Sequence, residues 1–331
     1  MTPFECCCEM IESGEVGNIP FPWSLREDNG ENGRTLAHWA AERKLLPDDF
    51  SGWLIEDSNG LTVVEFALRA DALPEDFNGW DIALWRHCVM VAHLAAEEGK
   101  LPPNFDRWEL LTENGKTVAH ILAELDQLPD ALLTHPVMWH CDRDGMSIFH
   151  LLARKGALPE GFDKWDYAGK HGWTVAHEAA SGQVLSNDFS WWHLRDEDGM
   201  SVARVALIHD SLPENFSHWD IEDADGLTVA HEAVHRRRDP FPKGFDQWAL
   251  EDRVGNTVAH AAASADKLPA DFEAWNLMNR SGETVEAYLK RIMVEFDMPP
   301  VKSFAHYEAW RMNQAIQSNP PASSKIRKNA F

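Results

Sequence analysis

The sequence predicts an all-α fold, a helical repeat solenoid of about ten units that recur every 27 residues. Three observations predict it. Gly-x-Thr-Val-Ala-His recurs at Gly33–His38, Gly115–His120, Gly172–His177, Gly226–His231 and Gly255–His260, with degenerate copies beginning at Gly60, Cys88, Gly145, Gly199 and Gly282. Nine residues after the His position stands Leu-Pro, at Pro47, Pro74, Pro102, Pro129, Pro159, Pro213 and Pro269. Six residues after that Pro comes Trp, at Trp53, Trp80, Trp108, Trp165, Trp219 and Trp275, with Phe three places before it. Self-similarity at such a period marks a stack of supersecondary units, none able to bury its apolar face alone.

Each element of the unit has a physical reading. Asp-x-x-Gly is a turn, in which Asp bonds nearby backbone and Gly takes positive φ. Thr or Ser two residues later N-caps a helix. Val-Ala-His-x-Ala-Ala continues that helix with a small, flat face on which a neighbour can stack closely. Leu-Pro ends it, because the residue before Pro is pushed out of the α region. Phe-x-x-Trp then reads as a second, very short helix, its two rings one turn apart and joined into an aromatic ladder. The expected unit is therefore helix, turn and short helix, with a turn-rich edge.

The ends differ from the units. Residues 1–29 read as an N-terminal cap, 30–300 as the repeat array, 301–318 as a C-terminal capping helix, and 319–331 as a basic, disordered tail. Three units are irregular. The one beginning at Gly115 carries Leu132–Trp139 in place of Phe-x-x-Trp, the one around Trp85-Arg-His-Cys88 lacks the turn Gly, and the one after His231 holds His235-Arg-Arg-Arg238.

The segment Asp223 through Ala233, Asp-x-x-Gly-x-Thr followed by x-x-His-x-Ala-Ala, resembles the ankyrin repeat. The resemblance spans roughly residues 28–290 in the first half of each unit. Its departures are the 27-residue length, Val in place of Pro after Thr, Ala in place of Leu before His, and the Leu-Pro-x-x-Phe-x-x-Trp half. A shortened, divergent array of this kind implies a protein-recognition scaffold.

Charge narrows the partners. The formal net charge is −24, from 54 acidic and 30 basic residues. Residues 301–331 carry five basic side chains and one acidic, which leaves −28 on residues 1–300. Such a body disfavours direct nucleic-acid and membrane contact, both of which need Lys and Arg on the contact face. It suits a basic or nucleic-acid-binding protein partner. Five cysteines, three of them adjacent (Cys6, Cys7, Cys8), do not form a disulfide framework and fit a reducing compartment. The N-terminus reads without a secretory leader and no apolar run is long enough to span a bilayer. The expected location is cytoplasmic, in a host cell if the protein is delivered there.

No catalytic set, metal or cofactor is expected. Equivalent His residues on stacked helices lie about 8–10 Å apart, too far to share an ion held at about 2 Å, so they read as structural. The pairs Asp142/Asp144, Asp196/Asp198 and Asp223/Asp225 lack the remaining ligands of a calcium loop and read as turns. His87-Cys88 and His140-Cys141 lack a third, orienting group. The expected function is a non-catalytic protein-interaction scaffold, an inhibitor or effector binding through the turn edge and the exposed side of the first helices. The alternatives are an acidic mimic of nucleic acid and an enzyme with a site at an irregular repeat. The candidate partner contacts are His235, Arg236, Arg237 and Arg238, the three Asp pairs, and Trp85, Arg86 and His87.

Overall fold

A computed structural model of the chain describes residues 2–16, 19–27, 33–84, 88–237, 241–296 and 302–318, the last four without their side chains. It divides into two compact units. Unit 1 comprises residues 1–152 with 158–160, and unit 2 comprises 153–157 with 161–331. The boundary falls inside the repeat that begins at Gly145.

Unit 1 holds α1 (Pro3–Glu12), α2 (Leu36–Glu42), α3 (Val63–Arg69), α4 (Val91–Glu97), α5 (Val118–Glu124) and the start of α6 (Ile148–Lys155). Unit 2 continues with α7 (Val175–Ser181), α8 (Val202–Ile208), α9 (Val229–Arg236), α10 (Val258–Ser264), α11 (Val285–Glu295) and α12 (Lys302–Ser318). Both are helical repeat arrays, as the sequence predicts.

The turn before each helix is a minimal hairpin. Glu56 pairs with Thr62 and Leu111 with Thr117 in unit 1, and Arg195 with Ser201, Glu222 with Thr228 and Met278 with Thr284 in unit 2. The irregular unit at Cys88 extends this to two antiparallel strands, β1 (Ala83–Leu84) and β2 (Val89–Met90), with Ala83 opposite Met90. An Asp closes the hairpin from inside. Asp223 Oδ1 accepts from the amides of Asp225 (2.9 Å) and Leu227 (2.8 Å), and Asp57 does the same for Asn59 and Leu61. The paired Thr or Ser is also the helix N-cap, extended at φ −96°, ψ 165° for Thr174, so one residue ends the hairpin and starts the helix.

Helices end earlier than Leu-Pro alone requires. A left-handed residue stops them: Lys44 (φ 60°) and Asp71 (53°) in unit 1, Gln183 (61°), Asp210 (54°) and Asp266 (57°) in unit 2. After Lys44, the Leu45 amide reaches back to the Ala40 carbonyl at 2.9 Å, the six-to-one bond of a Schellman stop. Pro47 comes two residues later and shapes the loop instead.

The predicted second helix is largely replaced by two tight turns. In unit 1 the Phe50 amide bonds the Pro47 carbonyl (3.0 Å) and the Ile55 amide bonds that of Gly52 (3.1 Å). Pro and Gly favour turns over a continued helix here. Short 3-10 helices take its place in the irregular unit, at Asp130–Leu132 and Pro136–Trp139. The ladder forms nonetheless. In unit 1 edge-to-face contacts run from Trp23 through Phe50, Trp53, Phe77, Trp80 and Phe105 to Trp108, with centroids 4.8–5.6 Å apart. In unit 2 they run from Phe162 through Trp165, Phe189, Trp192, Phe216, Trp219, Phe245, Trp248, Phe272 and Trp275 to Tyr307, at 4.8–5.7 Å. Each such pair adds about 0.5–1.5 kcal/mol beyond its burial.

The alanine face does what its size suggests. Ala37, Ala41 and Ala67 pack in one cluster with Phe50 and Val63. Gly182 shows how close the elements come in unit 2: a Cβ there would lie 2.1 Å from the Arg154 carbonyl oxygen.

Candidate interaction surface

The recurrent His residues are struts. His177 Nδ1 accepts from the Thr174 amide (3.1 Å) and faces the Thr174 hydroxyl (2.7 Å). Its Nε2 lies 3.0 Å from the Met200 carbonyl oxygen. A carbonyl only accepts, so Nε2 carries the proton, and the imidazole is neutral with both nitrogens satisfied. The same link joins His38 to Leu61 and His120 to Met146 in unit 1, and His231 to Asn256 and His260 to Glu283 in unit 2, while His93 reaches the Leu110 carbonyl at the start of the next hairpin. Burial holds all six pKa values below the ordinary 6.5, against the raising effect of the carbonyl bond.

Two repeats use other chemistry at the His position. Glu65 Oε2 accepts from the Thr62 amide (2.7 Å) and hydroxyl (2.8 Å), which keeps the capping half of the strut. Arg204 keeps the reach to the next repeat. It donates to Asp223 Oδ2 at 2.6 Å and stands 3.7 Å from Glu232, which also pairs with Arg236. In α7, Glu178 is buried and takes both Arg154 Nε (2.7 Å) and the Trp173 indole N–H (2.8 Å). The sequence reading missed these carboxylates. Their signal was Glu two places before the end of the Ala face, where other units have Ala or an apolar residue.

The candidate contact residues separate into structural and available groups. Asp142, Asp196 and Asp223 close hairpins through Oδ1, and Asp223 also holds Arg204. Asp144, Asp198 and Asp225 are exposed. In the basic run, Arg236 is tied to Glu232 and Arg237 pairs with Asp210 at 3.2 Å, while His235 is exposed. Trp85, Arg86, His87 and Arg238 lie outside the described residues.

The helix face requires a correction. α4 is buried from Val91 to Ala96, α7 from Val175 to Ala180 and α9 from Val229 to Val234. A helix of seven or eight residues packed on neighbours through alanines and on the Phe–Trp rings leaves little more than its last turn open, as at Glu42, Arg69 and His235. The hairpins are different. Glu56, Ala83 and Leu111 in unit 1, and Ala168, Arg195, Glu222, Glu251 and Met278 in unit 2, all hold the same strand position and are all exposed. Glu stands there three times, Ala twice, and Leu, Arg and Met once each, while Cys141 holds the same position half-buried.

Cys8 and Cys88 are poor nucleophiles. Burial pushes Cys8 up to about 11, and the Glu113 carboxylate raises Cys88. Among the described residues, no group of three or more His, Cys, Asp or Glu side chains is placed to hold a metal ion. No helix among them is long and apolar enough to cross a membrane.

No family model and no curated protein matches the sequence. The chain is similar to an ankyrin repeat domain. That solved structure is the ankyrin repeat domain of Bcl-3, a member of the IkappaB protein family, at 15% identity, covering 78% of this chain and 95% of that one, with a TM-score of 0.34. So distant a likeness carries no argument about function, and the repeat geometry stands on the chain's own contacts.

Proposed function

We propose that the chain is a non-catalytic, cytoplasmic scaffold that binds a protein partner along its hairpin edge. One observation carries this reading. The recurrent residues are occupied in holding repeats together, whereas the hairpin-strand positions, Cys141 apart, are exposed and hold Glu, Ala, Leu, Arg or Met. A surface whose scaffold is constant and whose outward side chains vary is suited to recognising one partner. The variant Leu111→Ala/Arg195→Ala/Glu222→Ala/Met278→Ala is expected to keep its melting temperature and lose partner capture at least tenfold. Retained capture would count against the reading.

A second reading, an acidic inhibitor of a nucleic-acid-binding protein, is favoured by the charge distribution. Unit 1 carries 28 acidic and 10 basic residues, net −18, against 26 and 20, net −6, in unit 2. It predicts capture of a basic DNA- or RNA-binding protein that weakens steeply with salt.

A further inference from the structure

The Leu-Pro and Phe–Trp loops are where the repeat departs most from the family it resembles. In unit 1 they carry a second surface. Trp53, Trp80 and Trp108 sit in the ladder yet remain half-buried, so their rings reach solvent. In unit 2, Trp165 and Trp248 are half-buried too, but Trp192, Trp219 and Trp275 are only 3%, 4% and 0% exposed. Between two successive Leu-Pro loops of unit 1 a notch of about 210 Å³ opens. Leu73, Pro74, Trp80 and Pro102 form its apolar walls, Glu75 lines it, and so do Asp71 and Lys100, paired with each other at 3.3 Å. At about 30 Å³ per water it has room for roughly seven waters, or for one long side chain.

Charge decides what fits. The loops of this edge present exposed Asp48, Asp49, Glu75, Asp76, Asp106 and Glu109. Two cations on the same loops are already engaged. Lys100 Nζ donates to the Leu68 and Arg69 carbonyls (3.0 and 2.7 Å), capping α3, and Arg107 bonds Asp81 at 3.1 Å. The corresponding recess in unit 2, about 800 Å³, is lined by three cations, Lys243, Lys267 and Lys302, where the notch of unit 1 has Lys100 alone.

We propose that the loop edge of unit 1 docks an extended, basic segment of a partner protein, with one Arg or Lys per repeat. Each cation would lie against an indole and beside a carboxylate, where both attractions add. The spacing follows from two lengths. Stacked helices advance about 8–10 Å, and an extended polyproline-type chain rises about 3.1 Å per residue, so three residues span about 9 Å. The edge therefore reads a basic residue at every third position. This surface rests on the scaffold reading above and adds a contact distinct from the hairpin edge.

The full chain is titrated by fluorescence anisotropy with a labelled peptide of five Arg-Ala-Pro triplets, and with an isomer whose five Arg are contiguous. The spaced peptide is expected to bind at least tenfold more tightly, with affinity falling as salt rises. Glu75→Lys/Asp76→Lys is expected to weaken it at least tenfold, and the fourfold hairpin-edge variant to leave it unchanged. Equal affinity for the two peptides overturns the proposal, as does an unaffected Glu75→Lys/Asp76→Lys variant. If only a chain ending at Ser318 binds, the occupant is the chain's own segment 319–331, with Lys325, Arg327 and Lys328, and the partner assignment fails. Loss of binding in the hairpin-edge variant alone moves the contact to that edge and leaves the scaffold reading standing.

Discussion

His177 Nε2 donates to the Met200 carbonyl oxygen at 3.0 Å, and this bond ties a helix in one repeat to the hairpin of the next. The partner atom is backbone, so the strut is indifferent to the residue type that follows Gly. That lets Met200, Asn256 and Glu283 stand at one place without disturbing the array.

The struts make stability depend on pH. Unfolded His has the ordinary value of about 6.5, and burial lowers the folded value, so the unfolded state binds more protons. The stabilisation is complete above about pH 6.5 and is lost as pH falls toward and through the folded values. Three such His lie in each unit, and each contributes a slope of at most about 1.4 kcal/mol per pH unit, or at most about 4 kcal/mol per pH unit for one unit within that window. The melting temperature is expected to fall steeply from pH 7 to 5.5, before most carboxylates titrate. Calorimetry in buffers of different ionisation enthalpy will show proton uptake on unfolding. A flat profile would sink the strut account.

Lys44 holds the left-handed position that stops α2, and its side chain is exposed. A side chain there costs about 1 kcal/mol relative to glycine. Lys44→Gly is therefore expected to stabilise unit 1 by up to about 1 kcal/mol, offset in part by the greater freedom of unfolded glycine. Urea denaturation checks it through a raised midpoint with an unchanged slope.

Gly182 has ordinary helical φ of −76°, so its need for glycine is one of space. A Cβ would meet the Arg154 carbonyl carbon at 2.8 Å as well as its oxygen. Backbone must move to admit it, and Gly182→Ala is expected to cost about 1–3 kcal/mol. Arg154→Ala does not relieve the clash, because the obstructing atoms are backbone. Rescue in that double variant would refute the steric explanation.

Much of the fold is legible in the sequence because its markers are local. Thr followed by His three residues on encodes cap and strut together, and alternating Phe and Trp encode the ladder. The short second helix was misread because Phe-x-x-Trp satisfies helical spacing, while Pro47 and Gly52 favour two turns that place the same rings equally well. The contact surface is less legible. Ala-rich helices do not announce whether they are enclosed, and only packing shows that α7 is buried to Ala180. Of each Asp pair, both members look alike in sequence, but the hairpin uses Asp223 and leaves Asp225 free to face solvent.

Arg204 looks in sequence like a lost His and is in the structure a replacement for it. Its guanidinium reaches Asp223 at 2.6 Å, and that carboxylate is buried and also closes the hairpin. Arg204→Ala would leave Asp223 Oδ2 and Glu232 without their shared cation, and removing one partner of a buried ion pair costs about 3–5 kcal/mol. Arg204→Ala/Asp223→Asn retains the hairpin acceptor and removes the stranded charge, so it is expected to recover about half of that loss. Arg204→His tests the strut itself: the imidazole restores the bond to the following carbonyl but leaves Asp223 unpaired, so its stability should fall between the parent and Arg204→Ala. A fully stable Arg204→His variant would mean that the Asp223 pair contributes nothing beyond the link between repeats.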